Sequence, residues 1–289
     1  MRAKTHNNFA RTYTSGLALR ARLSGVPSSQ DQIAGPLMYA SMGCAKFCKS
    51  LIPTGCISTD VRKEEITLFE SLGVVSDRLS LVNQPSLILE SEPILGRMGV
   101  PTIIGNPDSW MPNVKDCDFT DSFLLAAGCD PQWLDAILVE NKPRYLAIDL
   151  HSSWIGSRTT ALNRSLHKCN LLSLTEWELS MLPESLAVQI GSNNQITLLV
   201  KRGRSGVTIS QGRSSYNLPP PHTATLRSDL GAGDFIFGCI GGAIASHGTV
   251  EAPIDIYCDA YMASLGMLTI LLESNCPADF MNNLQKSRG

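Results

Sequence analysis

One run of small residues carries the clearest chemistry in this 289-residue chain: Gly231-Ala232-Gly233-Asp234, continuing as Phe235-Ile236-Phe237-Gly238-Cys239-Ile240-Gly241-Gly242-Ala243. Residues without bulky side chains let a backbone turn sharply and approach a ligand closely. The run leads into an apolar segment, residues 233–246, that reads as a helix. The first amides of such a helix have no internal partner, and its dipole favours negative charge at that end. The result is an anion site built from main chain. Asp234 at its edge has two possible jobs: it caps the helix, or it takes a proton from a hydroxyl while the amides hold a phosphoryl group. The local sequence is compatible with both.

Other chemistry is absent from the sequence. It contains no G-x-x-x-x-G-K-[ST], no G-x-G-x-x-G, no H-E-x-x-H and no G-x-S-x-G. The histidines at 6, 151, 167, 222 and 247 lack metal-ligand spacing. The nine cysteines form no C-x-x-C and read as free, mostly buried thiols of a reducing compartment. With 24 Lys+Arg against 26 Asp+Glu, the net charge of −2 argues against a general nucleic-acid surface. The longest unbroken apolar runs, 235–246 and 262–272, fall short of the roughly 18 residues of a membrane span. Residues 1–30 hold Arg2, Lys4, Arg11, Arg20 and Arg22 and no acid. That composition suits either an organelle transit peptide or a basic first strand and loop; a cytoplasmic location is the expectation, with an organelle as the alternative.

The elements that must position Asp234 follow from pattern. Helices are expected over 35–50, after a Gly-Pro start, over the amphipathic 61–72, over 131–140 behind Asp130-Pro131, over 175–182, and over 256–272. Strands are expected at 51–57, 79–82, 86–89, 102–104, 122–127, 144–150, 170–174, 196–200 and 207–210. Residues 144–150 (RYLAIDL) form a strand ending in an acid, and KRGRSG reads as a tight turn between the last two strands. Strand and helix alternating over 150 residues argue for a parallel sheet covered by helices on both faces.

With these elements in place, Ser228 to Gly238 resembles the signature of the ribokinase-like (PfkB) family of carbohydrate and nucleoside kinases, D-T-x-G-A-G-D-x-F-x-x-G; the G-A-G-D core and the glycine four residues later coincide. Three further segments resemble the family in order and approximate spacing. Leu199 to Val207 is similar to its v-K-x-G-x-x-G beside the nucleotide phosphates, Leu174 to Leu179 to its N-x-x-E, and Ile33 to Ser41 to its substrate-side G-G-x-x-x-N-x-A. Leu72-Gly73-Val74 and Tyr145 to Leu150 also fit, and the resemblance spans about residues 33–272. It implies a three-layer α/β/α sandwich with a mostly parallel sheet, in one catalytic domain over 1–289, with a small β lid from about 5–32 and 79–105.

The resemblance implies an ATP-dependent kinase acting on a hydroxyl of a sugar, polyol or nucleoside. Asp234 would be the general base and the amides of Gly231, Ala232 and Gly233 the anion hole. Lys201, Gly203 and Gly206 would bind ATP, Glu178 would hold Mg²⁺ through water, and Gly35 and Tyr39 would face the acceptor. Four positions depart from the pattern: Ala34 replaces a glycine, Tyr39 an asparagine, Thr175 the asparagine of N-x-x-E, and Ser228 an aspartate tied in some members to a monovalent-cation site. The family's first strand ends in an acid that binds substrate hydroxyls, and residues 9–23, which would supply that strand, hold none. The missing acid motivates a second expectation, a ligand-binding or regulatory protein with weak or no transfer. Tyr39 offers an aromatic face that either stacks on a ligand ring or joins the core. Exposed lid strands also suggest a homodimer. No membrane or nucleic-acid partner is expected.

Overall fold

The computed structural model describes residues 9, 11–23, 32–71, 76, 78–83, 85–91, 93–94, 97–98, 102–104, 117–155, 158–222, 230–274, 280 and 283. The first half forms β1 (Thr12–Leu17), β2 (Leu19–Leu23), β3 (Gln32–Ala34), α1 (Pro36–Ala45), β4 (Leu51–Ser58), α2 (Lys63–Glu70), β5 (Leu79–Val82), β6 (Ile88–Ser91), β7 (Pro93–Ile94), β8 (Arg97–Met98) and β9 (Thr102–Ile104). The second half forms β10 (Phe123–Ala127), α3 (Pro131–Glu140), β11 (Tyr145–Asp149), α4 (Thr159–Leu166), β12 (Leu171–Thr175), α5 (Glu176–Met181), α6 (Glu184–Ser192), β13 (Thr197–Lys201), β14 (Val207–Gln211), β15 (Ser214–Leu218), α7 (Ala232–His247) and α8 (Ile254–Leu272). Nine strands make one sheet in the order β15-β14-β13-β12-β11-β10-β1-β4-β5, in which only β14 runs against the others, so that β13-β14 and β14-β15 pair antiparallel and every other pair is parallel. A second sheet, β3-β2-β6-β9, and the hairpin β7-β8 complete the strands among the described residues.

Side chains of successive strand residues point to opposite faces, and this period builds the three layers. In β10, Phe123, Leu125 and Ala127 pack with the layer of α1, α7 and α8, while Leu124 and Ala126 pack with that of α3, α4 and α6. β11 repeats the division, with Tyr145 and Ala147 on the first face and Leu146 and Ile148 on the second. Phe235, Phe237, Ile240 and Ile244 of α7 are buried in the first layer, each contributing about 1.5–3 kcal/mol. α7 lies close on α1 because glycines meet backbone there. A Cβ at Gly238 would lie 2.0 Å from the Ala40 carbonyl oxygen, and one at Gly242 2.5 Å from that of Cys44. The later glycines of the small-residue run therefore serve helix packing.

The expected elements from 35 to 57 and from 122 to 210 occur within a few residues of their sequence positions, and the sandwich is the architecture they build. Asp130 caps α3 by accepting a hydrogen bond from the Gln132 amide at 2.7 Å. Neither α4 nor α6 has a side-chain cap, and neither boundary was marked in the sequence. Two strands expected in the lid lie elsewhere: β1 is central in the main sheet and β5 is its edge, leaving β2 and β3, then β6 and β9, in the second sheet. β1 is polar (TYTSGL), which conceals a buried strand; Thr14 and Ser15 are buried, with Thr14 Oγ1 2.6 Å from Ser41 Oγ and Ser15 Oγ donating to the Thr54 carbonyl at 2.9 Å. The reading of apolar runs also needs correction at α8. Its 19 residues, mean hydropathy 1.3, are long and apolar enough to cross a membrane by length and composition. In this fold α8 instead buries Tyr257, Tyr261 and Leu268 in the layer beside α7.

The order of strand addition reverses at β1, which lies between β4 and β10 and is parallel to both. In open α/β sheets ligands bind at such a switch point, beyond the carboxyl ends of the strands. α1 starts there, behind Gly35, whose φ is 96°.

Candidate active site

The period of two that builds the layers also places the charged groups. Asp149 ends β11 in step with Tyr145 and Ala147, and Lys201 ends β13 in step with Leu199, so both belong to the face covered by α7. β12 lies between them, with buried Ser173 opposite Asp149. Lys201 Nζ crosses that strand and donates to Asp149 Oδ1 at 2.6 Å. The second Asp149 oxygen is buried without a hydrogen-bond partner among the described residues.

The other wall is the start of α7. Gly231 is its N-cap in the left-handed region, φ 76°. A Cβ there would meet the Tyr39 ring at 2.1 Å, so the turn needs glycine both for its backbone and for the aromatic packed beneath it. The amides of Gly231, Ala232, Gly233 and Asp234 belong to the first turn, which has no preceding helical carbonyls to pair with. Lys201 stands directly over this turn: a Cβ on Gly233 would lie 3.1 Å from Nζ. A cation is unfavourable at a helix N-terminus. Three carboxyls hold it there, because Asp149, Glu178 and Asp234 all raise the Lys201 pKa against a burial effect that lowers it.

The same crowding moves the acids. Burial raises Asp234 to about 8, with Asp149 and Glu178 adding to the rise and Lys201 opposing it. Asp149 is also raised, first by burial. Three acids share one ammonium out of water, so a proton stays in the cluster near neutral pH. His151, just beyond β11, is lowered by burial and by Lys201 while Glu178 raises it, which favours the neutral ring.

Glu178 is fixed rather than free to swing. Its Oε2 accepts from the Thr175 amide at 2.7 Å and from Thr175 Oγ1 at 2.9 Å, and Oε1 accepts from the Ser152 amide at 3.0 Å. With Thr175 Oγ1 accepting from the Glu178 amide at 3.1 Å, this is a capping box at the start of α5. The sequence left Glu178 between an acidic helix start and a metal-shell acid, and the structure makes it a cap whose carboxylate still faces Lys201 and Asp234. A carboxylate has about four acceptor sites, and the three bonds above use three of them. Among the described residues no group of three or more His, Cys, Asp or Glu side chains forms a cage for a metal ion. What remains is the open Asp149 oxygen and the pinned Glu178, a donor set that suits a cation carried in by phosphates and keeping its waters, as Mg²⁺ does.

The remaining sequence candidates are spread around this centre. Gly203 opens a short 3₁₀ turn between β13 and β14, and Gly206 closes it at φ 81°, where a Cβ would lie 2.0 Å from the Leu218 carbonyl oxygen. Gly35 is buried at the switch point. Tyr39 is 4% exposed, its ring under Gly231, so it supports that turn from the core. Ser228 and Leu72 to Val74 apart from these lie outside the described residues. The sequence reading did not include Asp149 among the site residues; its one signal was the acid ending RYLAID. His151 had no signal, since its place depends on which strand ends lie side by side; the capping role of Thr175 did have one, the local pattern Thr175-Glu176-Trp177-Glu178.

No protein-family model matches the chain, and no curated protein does. Solved structures do. A fructokinase double mutant from Vibrio cholerae O395, with fructose, ADP and potassium ion bound, matches with TM-score 0.74 at 14% identity, covering 95% of this chain and 96% of that one. A ribokinase from Cryptococcus neoformans var. grubii serotype A with ADP matches at 0.70 and 14%, covering 96% and 99%. An aminoimidazole riboside kinase from Salmonella enterica, with aminoimidazole riboside and an ATP analog, matches at 0.69 and 14%, covering 91% and 93%. The chain thus has the fold of these sugar and nucleoside kinases over nearly its whole length, at 14% sequence identity.

Proposed function

We propose that the protein is an ATP-dependent kinase that transfers the γ-phosphate to a hydroxyl of a sugar, polyol or nucleoside. The observation that carries this reading is the set of first-turn helix amides at Gly231–Gly233, which have no helical carbonyl to pair with, with Lys201 above them and Asp234 beside them. Phosphoryl transfer asks chiefly for alignment and for charge stabilisation around the moving group. The amides supply main-chain donors for its oxygens, and a lost donor of this kind costs roughly 10²-fold or more in rate. Lys201 supplies a point charge that already stands where a phosphate would lie. Mg²⁺ bound with the nucleotide would neutralise phosphate charge, with Asp149 and Glu178 as the nearby acids that orient its waters.

Asp234 takes the proton of the attacking hydroxyl. In the ligand-free cluster its raised pKa keeps it largely protonated at neutral pH. When phosphates draw Lys201, the four-group cluster re-partitions its charge, and the base acts from an environment that holds its pKa near the operating range. The turn from Gly203 to Gly206 lies after Lys201 and suits the nucleotide side, and Gly35 at the switch point suits the acceptor side.

The test is ADP release by the purified protein with ATP·Mg²⁺ over a panel of sugars, polyols and nucleosides. Acceptor-dependent release, abolished in Asp234→Asn with ATP binding kept, is expected; near-normal turnover in that variant removes the assigned base. A second reading, a binding or regulatory protein on this scaffold, is favoured by one observation: β1 and β2 carry no acid. Nucleotide binding without acceptor-dependent release would select it.

A further inference from the structure

The far end of α1 carries two thiols. Cys44 lies in its last turn, and the Cys48 amide closes one further turn on the Cys44 carbonyl at 2.9 Å. The Phe47 carbonyl between them accepts a hydrogen bond from Ser246 Oγ on α7, which fixes this turn. Residues four apart around a helical turn have Cα atoms about 6 Å apart, inside the roughly 4.4–6.8 Å that a disulfide spans. The two side chains meet, and the Cys44 thiol donates a hydrogen bond to the Cys48 sulfur. Two further donors converge on the same sulfur: the Thr12 hydroxyl at the start of β1 and the Ser50 amide just before β4. Three donors around one sulfur favour its charged form.

The two thiols differ in access and in protonation. Cys44 is fully buried against α7, whereas Cys48 is 8% exposed, with Lys46, Lys49 and Ser50 exposed around it. A small reagent arriving from solvent therefore meets Cys48 first. The hydrogen bond from Cys44, then those from Thr12 and Ser50, bring Cys48 down to about 6 against a burial effect that raises it. At neutral pH it is largely thiolate, the nucleophilic form. Cys44 keeps its proton, raised by that same hydrogen bond and by burial. Cys56, Cys129, Cys169 and Cys239 are raised by burial and stay thiols.

We propose that Cys44 and Cys48 are a redox pair: a hydroperoxide oxidises Cys48, and Cys44 resolves the product to a disulfide across the end of α1. With hydrogen peroxide, the Cys48 thiolate attacks one peroxide oxygen; an S–O bond forms, the O–O bond breaks, and the hydroxide released takes up a proton to become water. The Cys44 sulfur then attacks the sulfenic sulfur; the S–S bond forms, the S–O bond breaks, and the departing hydroxide leaves as water with the Cys44 proton. Two thiols lose two electrons and one peroxide becomes two waters. Once Cys48 bears oxygen, the thiolate that held the Cys44 proton is gone, which frees Cys44 for the second step. Neither Asp234 nor the Gly231 turn takes part, so the pair stands apart from the kinase reading.

The test treats the reduced full chain with hydrogen peroxide at pH 7, blocks the remaining thiols with N-ethylmaleimide and maps tryptic peptides by mass spectrometry. Trypsin cuts after Lys46, so the two thiols fall on peptides 23–46 and 47–49, which only a disulfide holds together. The joined peptides are expected, formed at least tenfold faster than any oxidation at Cys56 or Cys169 and separated again by dithiothreitol. In Cys44→Ala, Cys48 is expected to stop at a sulfenic acid that dimedone traps; in Cys48→Ala, Cys44 is expected to stay reduced. Cys44→Ser and Cys48→Ser replace either variant that fails to fold, and the wild-type map needs neither. Cys48 left unreacted while other thiols oxidise, carried to sulfinic acid without joining Cys44, or joined to a different cysteine overturns the proposal. So does oxidation of Cys44 at an unchanged rate in Cys48→Ala.

Discussion

Replacing Asp234 by Asn should stabilise the protein while ending transfer, and the gain should grow with pH. In the folded chain this carboxyl titrates at about 8 against an ordinary 3.8, because burial and two further acids disfavour its charge. The native state therefore binds more protons than the unfolded chain between those two values, and stability falls as pH rises through that window. At about 1.4 kcal/mol per pH unit, the ceiling on this loss is about 6 kcal/mol. Lys201 and Asp149 share the titration and absorb part of it, and about 2–3 kcal/mol is the expected difference. Asn keeps the shape and removes the charge, so wild type and Asp234→Asn should converge near pH 4 and separate by that amount at pH 8.5. At roughly 2–4 °C per kcal/mol for a chain of this size, melting temperatures should differ by about 5 °C or more. Urea unfolding at pH 4.5, 6.5 and 8.5, followed by circular dichroism, measures it. Parallel loss of stability in the two proteins across that range would show that Asp234 is not held protonated by the cluster, and the account of its pKa would fail.

Three further outcomes follow from the same geometry. In the kinase reading, kcat/KM at saturating Mg²⁺ should rise with pH toward a plateau near pH 8, because the ligand-free base must lose its proton; a flat profile from pH 6 to 9 would contradict this. Gly231→Ala places a Cβ 2.1 Å from the Tyr39 ring in a left-handed backbone, which should cost about 2–4 kcal/mol and at least 10²-fold in kcat; adding Tyr39→Ala removes the ring clash and should leave the variant's rate low, which separate denaturation and rate measurements would check. Glu178→Ala breaks the capping box and the contact to the Ser152 amide, and should cost about 1–2 kcal/mol and raise the Mg²⁺ concentration needed for half-maximal rate, whereas Glu176→Ala on the exposed side of α5 should change neither.

How much of this was readable from sequence differs element by element. β10 and β11 are runs of FLLAA and YLAID, buried on both faces, and α3 begins behind Asp130-Pro131; apolar runs and cap residues are local signals, and the alternation of strand and helix forces a parallel, double-covered sheet. β1 carries the opposite signal: its Thr and Ser side chains look like a loop, and only their bonds to Ser41 and Thr54 make burial tolerable. The lid boundaries shifted for the same reason, since sheet membership is a matter of pairing rather than of composition.

The sequence by itself determined the glycine-turn end of the site. Gly231-Ala232-Gly233-Asp234 before an apolar helix defines free amides and an acid by local backbone rules alone. Tertiary structure decided everything that depends on distance through space: Asp149 and Lys201, 52 residues apart, bonded at 2.6 Å, the place of Tyr39 beneath the turn, and the buried cluster gathered from Cys56, Leu87 and Trp154. Strand order across the sheet brings these groups together, and strand order is fixed by which buried faces pair best over the whole chain, a property no short stretch of residues carries.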